Sequence, residues 1–350
     1  MSGKILLVLG VGLLLGFGLT LSVRADETGL EPSGSMLSTL NGSGNVGQDS
    51  SVTIGADGLR LISYYDRTNR TLKVAYCANR ACTSPTLTTL DDTGDVGQFS
   101  SVTIGADHLG LISYYDVTNR NLKVAHCANQ ACTSATLTTL DDTGDVGHDT
   151  SVTIGADGLG LISYHDVTNG NLKVAHCANR ACTSATLTTL DSSGEVGQDT
   201  SVTIGADRLG LISYYDATNG NLKVAHCANR ACTSATLATV DGSGNVGQYT
   251  SVTIGADGLG LISYHDVTNG NLKVAHCANQ ACTSATLSTL DNTGEVGQDT
   301  SVTIGADGLG LISYRDVTNR TLKQAHCTNR TCTSATLTPR TTQARPAKTP

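Results

Sequence analysis

The sequence predicts an all-β fold assembled from six copies of one unit of four antiparallel strands. Three observations carry that prediction. The stretch "LISYYDVTNRNLKVAHCANQACTSATLTTLDDTGDVG", which begins at Leu111, recurs with few changes from Leu61, Leu161, Leu211, Leu261 and Leu311, a period of 50 residues. Every copy carries one Cys-x4-Cys pair. No segment has the apolar spacing of a helix, whereas each copy holds four short runs of strand chemistry divided by turn residues.

The elements follow in order within one copy. "SVTIGAD" (101–107) alternates Val102, Ile104 and Ala106 against Ser101, Thr103 and Gly105, the period-two pattern of a strand. "LGLISYYD" (109–116) and "NLKVAHC" (121–127) are rich in β-branched and aromatic residues, and "TSATLTTL" (133–140) alternates threonine with apolar residues. Asp-Gly at 57–58, 157–158, 257–258 and 307–308 closes the first hairpin, "TNG" or "TNR" the second, and "ANRA" or "ANQA" the third. Only "DDTGDVGQ" is long. Three tight hairpins and one longer crossover per unit are what a blade of a β-propeller requires, so six units predict a closed six-bladed ring. A β-solenoid is the alternative, but its coils need fewer residues and no hairpins. Leu61 and Ile62, adjacent and both apolar, fit a blade covered on both faces.

Residues 1–25 combine an early Lys4, an apolar run and Val23-Arg24-Ala25, the pattern of a cleaved secretory signal; left uncleaved, the run would be long enough to anchor the chain. Residues 26–35 read as a linker, 36–339 as the propeller and 340–350 as a disordered tail. "SMLSTLNGSGNVGQ" (35–48) copies the end of a repeat, which gives a spare fourth strand at 36–40 ahead of the first blade; of the two strands that could close the ring, the one at 333–339 is favoured because a disulfide ties it back. Loss of Lys4 and Arg24 with the signal takes the net charge from −8 to −10, which excludes a nucleic-acid partner in the absence of clustered cations. The mature chain is expected to be secreted or on the cell surface, monomeric and free of the membrane.

The twelve cysteines, Cys77/Cys82, Cys127/Cys132, Cys177/Cys182, Cys227/Cys232, Cys277/Cys282 and Cys327/Cys332, behind an export signal predict six local disulfides. Zinc is the alternative, because His126-Cys127 and its counterparts place imidazole beside thiol, but each copy supplies only three ligands. His126, His176, His226, His276 and His326, with Tyr76 in the first copy, are expected to be packing or hairpin residues. Asp91-x-Thr93-x-Asp95 in a glycine-rich loop suits either calcium or an Asx-turn; no later bidentate Glu follows at a fixed step, so no cofactor is assigned. Asp91, Asp92, Asp95, Asp66 and Asn69 are expected to make one face of the ring acidic, while Arg80, Arg180, Arg230 and Arg330 make the other mildly basic.

The near-identical copies over 36–339 resemble the highly repetitive bacterial β-propellers. More distantly, Ser63-Tyr64-Tyr65-Asp66 with the Asn69 turn is similar to the Asp-box of sialidase-type propellers, from which it departs by an extra residue between Ser63 and Asp66 and by the absence of tryptophan. That resemblance implies the fold but not sialidase chemistry. In architecture the chain also looks like the six-bladed fucose-binding lectins, whose sugar-binding tryptophans it lacks.

One position varies more than the other strand ends: Tyr65, Tyr115, His165, Tyr215, His265 and Arg315, each followed by an aspartate, Asp66, Asp116, Asp166, Asp216, Asp266 and Asp316, and by a turn asparagine, Asn69, Asn119, Asn169, Asn219, Asn269 and Asn319. A flat ring beside a carboxylate and an amide suits a sugar. Equally, the rings would fill the space between blades while each Asp caps its own turn. Repetition favours a multivalent binding module for a glycan or another extracellular ligand, since several weak sites give avidity. A hydrolase or lyase with a single axial site is the second reading; it would call for one blade that departs from the others, which Arg315, Phe99, Tyr249, His148, His108 and Arg208 do only mildly, and no catalytic residue is assigned. A scaffold without a small ligand is the third.

Overall fold

A computed structural model describes residues 40–42 and 44–339 of the chain. The predicted export segment, the linker, residues 36–39 of the spare strand and the tail 340–350 lie outside the described residues.

Each copy of the repeat folds into one four-stranded antiparallel sheet. In blade 1, β1 (Val46–Ile54), β2 (Arg60–Asp66), β3 (Thr71–Cys77) and β4 (Pro85–Asp91) are hydrogen-bonded in chain order, and five further sheets repeat this arrangement up to the short last strand Ala335–Pro339 of blade 6. First strands pack against first strands from blade 1 through to blade 6. The protein is a six-bladed β-propeller.

All six predicted disulfides are formed: Cys77–Cys82, Cys127–Cys132, Cys177–Cys182, Cys227–Cys232, Cys277–Cys282 and Cys327–Cys332, each with its Cα atoms 4.7–4.9 Å apart. The connections around them differ from expectation in two ways. The crossover between blades, expected to be long, is only residues 92–95, because the next strand already begins at Val96. The third connection, read as the tight turn "ANRA", is instead the longer loop 78–84, because the second half-cystine lies inside it rather than at the foot of the fourth strand. There Cys82, Cys132, Cys182, Cys232, Cys282 and Cys332 all take positive φ, at 50–52°. Each donates its N–H to the carbonyl of the asparagine three residues earlier, Cys82 to Asn79 at 3.0 Å for example. Left-handed backbone is uncommon for a residue with a side chain, and here the bridge to the third strand and this turn bond hold it in place.

The core lies between blades rather than within them. Leu61, Leu72 and Val74 on the back of blade 1 pack against Val96, Val102, Ile112, Tyr114 and Ala125 on the front of blade 2, where Cys127 and Cys132 join the same cluster. The equivalent set recurs at four more interfaces, with Cys182, Cys232, Cys282 and Cys332 in turn buried against the blade before. Successive strand residues point to opposite faces, so Leu61 and Ile62 each need an apolar neighbour. Full burial of a leucine such as Leu72 contributes about 1.5–3 kcal/mol. A hydrogen bond steps round with the packing: Val102 N donates to Ser51 Oγ at 3.1 Å, and Val152, Val202, Val252 and Val302 repeat it onto the serine of the blade before.

The six blades form the expected ring, but blades 6 and 1 do not repeat the tight packing of the other five interfaces. Among the described residues no such bond joins Ser301 to Val52, and Val52 is 60% exposed where its counterparts are 6–7%. Cys82, on the same uncovered face, is the least buried of the second half-cystines. Leu322 on the back of blade 6 is 50% exposed, whereas Leu72, Leu122, Leu172, Leu222 and Leu272 are fully buried. This seam is encoded in the terminal copies. A Cβ on Gly110 would lie 2.6 Å from Leu61 Cδ2 of the preceding blade and 2.8 Å from Cys127 Sγ, and the same holds within 0.2 Å at Gly160, Gly210, Gly260 and Gly310. Blade 1, with no blade packed before it, carries Arg60 there, and its guanidinium donates to the Arg80 carbonyl. Across the gap Gln324 replaces a valine that is buried in every other blade. Polar outer faces on terminal units are how repeat arrays end without exposing a core.

Candidate functional site at the propeller axis

The strand-end residues singled out in the sequence are not gathered into open platforms. Asp66, Asp116, Asp166, Asp216, Asp266 and Asp316 are at most 2% exposed. Each caps its own turn: Asn69 N donates to Asp66 Oδ1 at 3.1 Å and Asn69 Nδ2 to Asp66 Oδ2 at 2.8 Å, a pattern kept at Asn119, Asn169, Asn219, Asn269 and Asn319. The rings lie between blades, where Tyr65, Tyr115 and Tyr215 donate to Asp95, Asp145 and Asn245 at 2.6–2.7 Å.

Where the ring is the shorter histidine, the partner is the longer glutamate. His165 and His265 bring Nε2 to 3.0 and 3.1 Å from Glu195 and Glu295, without the in-line geometry of a hydrogen bond. Burial holds both imidazoles below the ordinary histidine range, against the pull of the glutamates. The variation at this position is therefore matched by its partner. The exception is Arg315, which faces the seam with its side chain 56% exposed.

Asp91, expected on an acidic face, is instead buried. Its Oδ2 accepts from Lys123 Nζ at 2.6 Å and Tyr114 OH at 2.7 Å, and its Oδ1 from Thr93 N and Oγ1, so both oxygens are engaged. His126 Nε2 lies 2.9 Å from Asp107 Oδ2 across the first hairpin, and Tyr76 OH repeats the contact to Asp57. Among the described residues no group of three or more His, Cys, Asp or Glu is arranged to hold a metal ion.

What converges instead is a ring of residues near the axis. The first strand of each blade is irregular between the Gln48 and Ser51 positions, and the residue that follows Gln48 or its counterpart takes positive φ: Asp49, Phe99, Asp149, Asp199, Tyr249 and Asp299, at 49–54°. Left-handed backbone is uncommon for such residues, and bulges of this kind re-aim a side chain. All six line one cavity of about 350 Å³ together with the serine or threonine that follows each. The carboxylates are tied round the ring: Asp49 Oδ2 accepts from Phe99 N at 3.1 Å, Asp149 Oδ2 from Asp199 N at 3.0 Å and Asp199 Oδ2 from Tyr249 N at 2.9 Å. Phe99 sits 5.3 Å from the His148 ring, itself 4.1 Å from that of Tyr115. Phe99 and Tyr249 break the repeat here, and they were legible only as isolated departures.

No protein-family model matches the chain, and no curated protein matches it. Solved structures similar to it include the α-L-arabinofuranosidase Arb93A from Fusarium graminearum in complex with an iminosugar inhibitor, at 12% identity over 77% of this chain and 88% of that one, with a TM-score of 0.51. The dihydro-heme d1 dehydrogenase NirN in complex with DHE is similar at 13% identity over 82% of this chain and 56% of that one, with a TM-score of 0.50. The likeness is one of fold.

Two groups of carboxylates give the propeller opposite responses to pH. Burial raises Asp91, Asp141, Asp191, Asp241 and Asp291, but bonds from lysine, tyrosine and Ser/Thr outweigh it and hold all five low, Asp291 at about 2. Their stabilisation is complete above the unfolded value of about 3.9 and is lost as pH falls through the folded one. At the axis, burial and then neighbouring carboxylates raise Asp149 to about 7. That group has the reverse sign: it favours the fold below the unfolded value and loses this as pH rises through its folded pKa. The unfolding midpoint should therefore be highest near about pH 4 and fall from there to about pH 7, with Asp149→Asn flattening that alkaline limb. An unfolding midpoint of the parent chain that stays constant across this alkaline limb would contradict the assignment.

Proposed function

We propose that the protein is an extracellular carbohydrate-binding propeller whose ligand sits over the axial ring. One observation carries this: the cavity that all six blades line is also where two aromatic residues interrupt an otherwise acidic ring. A sugar offers apolar ring faces and a girdle of hydroxyls. Phe99 and Tyr249 suit the former, and Asp49, Asp149, Asp199 and Asp299 accept from the latter. The multivalent strand-end reading is weaker because its aspartates already cap their turns.

Titration calorimetry of the full chain with a glycan identified on an array tests both. The expected stoichiometry is one, with Phe99→Asp, which installs the residue four other blades carry, weakening affinity by roughly tenfold. Several equivalent sites insensitive to Phe99→Asp would favour the strand-end sets instead. A hydrolase is the second reading, favoured by the raised Asp149 beside other carboxylates, since a protonated acid at neutral pH is what glycosidic bond cleavage needs. New reducing ends that vanish in Asp149→Asn would decide for it.

A further inference from the structure

We propose that the seam between blades 6 and 1 is a second binding surface, continuous with the axial cavity, that receives the carboxylates of an acidic oligosaccharide. This rests on the axial reading above.

The seam holds a cavity of about 810 Å³ lined by Tyr65 and Arg67 of blade 1 and by Ser301 and Ser313 of blade 6. It shares Asp49, Phe99 and Asp299 with the axial cavity. A further hollow of about 700 Å³ places Arg315 and Arg320 beside the same Asp299. A groove thus runs from the acidic axis outward to a rim of arginines.

Neither a sixth blade interface nor a second copy of the chain fills it. Arg60 occupies the position where any Cβ would meet the leucine of an apposed blade, and the back face of a second copy would bring the same leucine. Gln324 and Arg315 remove two of the apolar contacts that the other interfaces use.

Two of the three arginines that line it, Arg67 and Arg315, are peculiar to the seam. Arg67 stands where the other blades have Val117, Val167, Ala217, Val267 and Val317, and its exposed side chain has no partner among the described residues. Arg315 reaches Asp299 only at 3.9 Å, with both side chains more than half exposed. A guanidinium without a tight partner offers a planar fork that matches a carboxylate in two parallel hydrogen bonds. An extended sugar with its first residue over Phe99 would carry later residues past Arg67 and Arg315, so carboxylates on those residues are what this rim recognises.

Calorimetry with a short oligouronide and its carboxyl-reduced counterpart, on the full chain, tests the proposal. Arg67→Val and Arg315→Tyr each install the residue of other blades, so the fold tolerates them by its own precedent. The oligouronide should bind one to one, weaken with added salt, and lose roughly tenfold or more in affinity with each substitution. The reduced sugar should bind both variants as it binds the parent. Equal oligouronide affinity in parent and double variant overturns the seam site alone, as does an equal loss for both sugars. Binding of the reduced sugar that ignores Phe99→Asp overturns the axial reading instead. If neither sugar binds the parent, both fall.

Discussion

Replacing Lys123 with methionine should destabilise the propeller by about 3–5 kcal/mol, because it leaves a carboxylate charged and unpaired inside a blade interface. Asp91 is 1% exposed and Lys123 8%, and the ammonium also lies 3.7 Å from Asp116. Neither carboxylate can recruit water without opening the interface. Adding Asp91→Asn should recover much of the loss, since removing the charge removes the penalty. The chain supplies the precedent: ahead of blade 1 the equivalent position is Asn41, whose amide donates to Tyr64 OH at 3.1 Å. Urea denaturation of the parent, the single and the double variant measures this. A loss below about 1 kcal/mol for Lys123→Met would mean the pair is no more than a surface ion pair in effect.

Reduction of all six disulfides should unfold the protein at moderate temperature. Closing a loop of about six residues contributes roughly 2 kcal/mol by chain entropy, and six such contributions approach the whole stability of an ordinary domain. The half-cystines also pack: Cys127 and Cys132 are fully buried in the cluster between blades 1 and 2. Replacing Cys177 and Cys182 together by serine should therefore cost more than the loop closure alone, because two hydroxyls enter an apolar site. The same pair of changes at Cys77 and Cys82 should cost less, since no blade covers Cys82. Circular dichroism with and without reductant follows the first effect. A reduced protein that keeps its β signal and its unfolding midpoint would show that packing alone sustains the blades.

Much of this was open to reading in the repeat itself. Strand order, the first two hairpins and bridges such as Cys127–Cys132 are local matters, decided by residues a few positions apart, and period-two alternation with turn chemistry conveys them. The third connection was read too short, because the strand-like "TSATLTTL" run starts directly after Cys132 although pairing begins only at Ala135. The buried role of Asp91 was not readable, because its partner Lys123 lies 32 residues away in the next blade and a glycine-rich Asp-x-Thr-x-Asp run looks like a surface loop. The axial ring escaped for a different reason. A bulge reverses the side on which Asp49 and Phe99 emerge, and alternation counted along the strand assigns them wrongly. The seam had a signal that comparison of the copies exposes: Arg60 for glycine, Gln324 for valine and Arg315 for an aromatic ring all occur on the two faces that no blade covers.

The pairing of Tyr65 with Asp95, Tyr115 with Asp145 and His165 with Glu195 has an evolutionary consequence. Near-identical tandem copies in a gene invite unequal recombination, which adds or deletes whole units. Each ring and its acid are separated by 30 residues of the 50-residue period. A crossover outside that window passes matched pairs on intact, whereas one inside it joins the ring of one copy to the acid of another. Glu195 already presses its Oε2 within 2.7 Å of where a Cβ on Gly170 would be, while Asp95 and Asp145 tolerate Arg70 and Arg120 at the same place. A crossover that set Glu195 beside arginine and tyrosine would crowd three side chains into a space sized for two. Breakpoints that survive selection should therefore concentrate between the acid of one copy and the ring of the next.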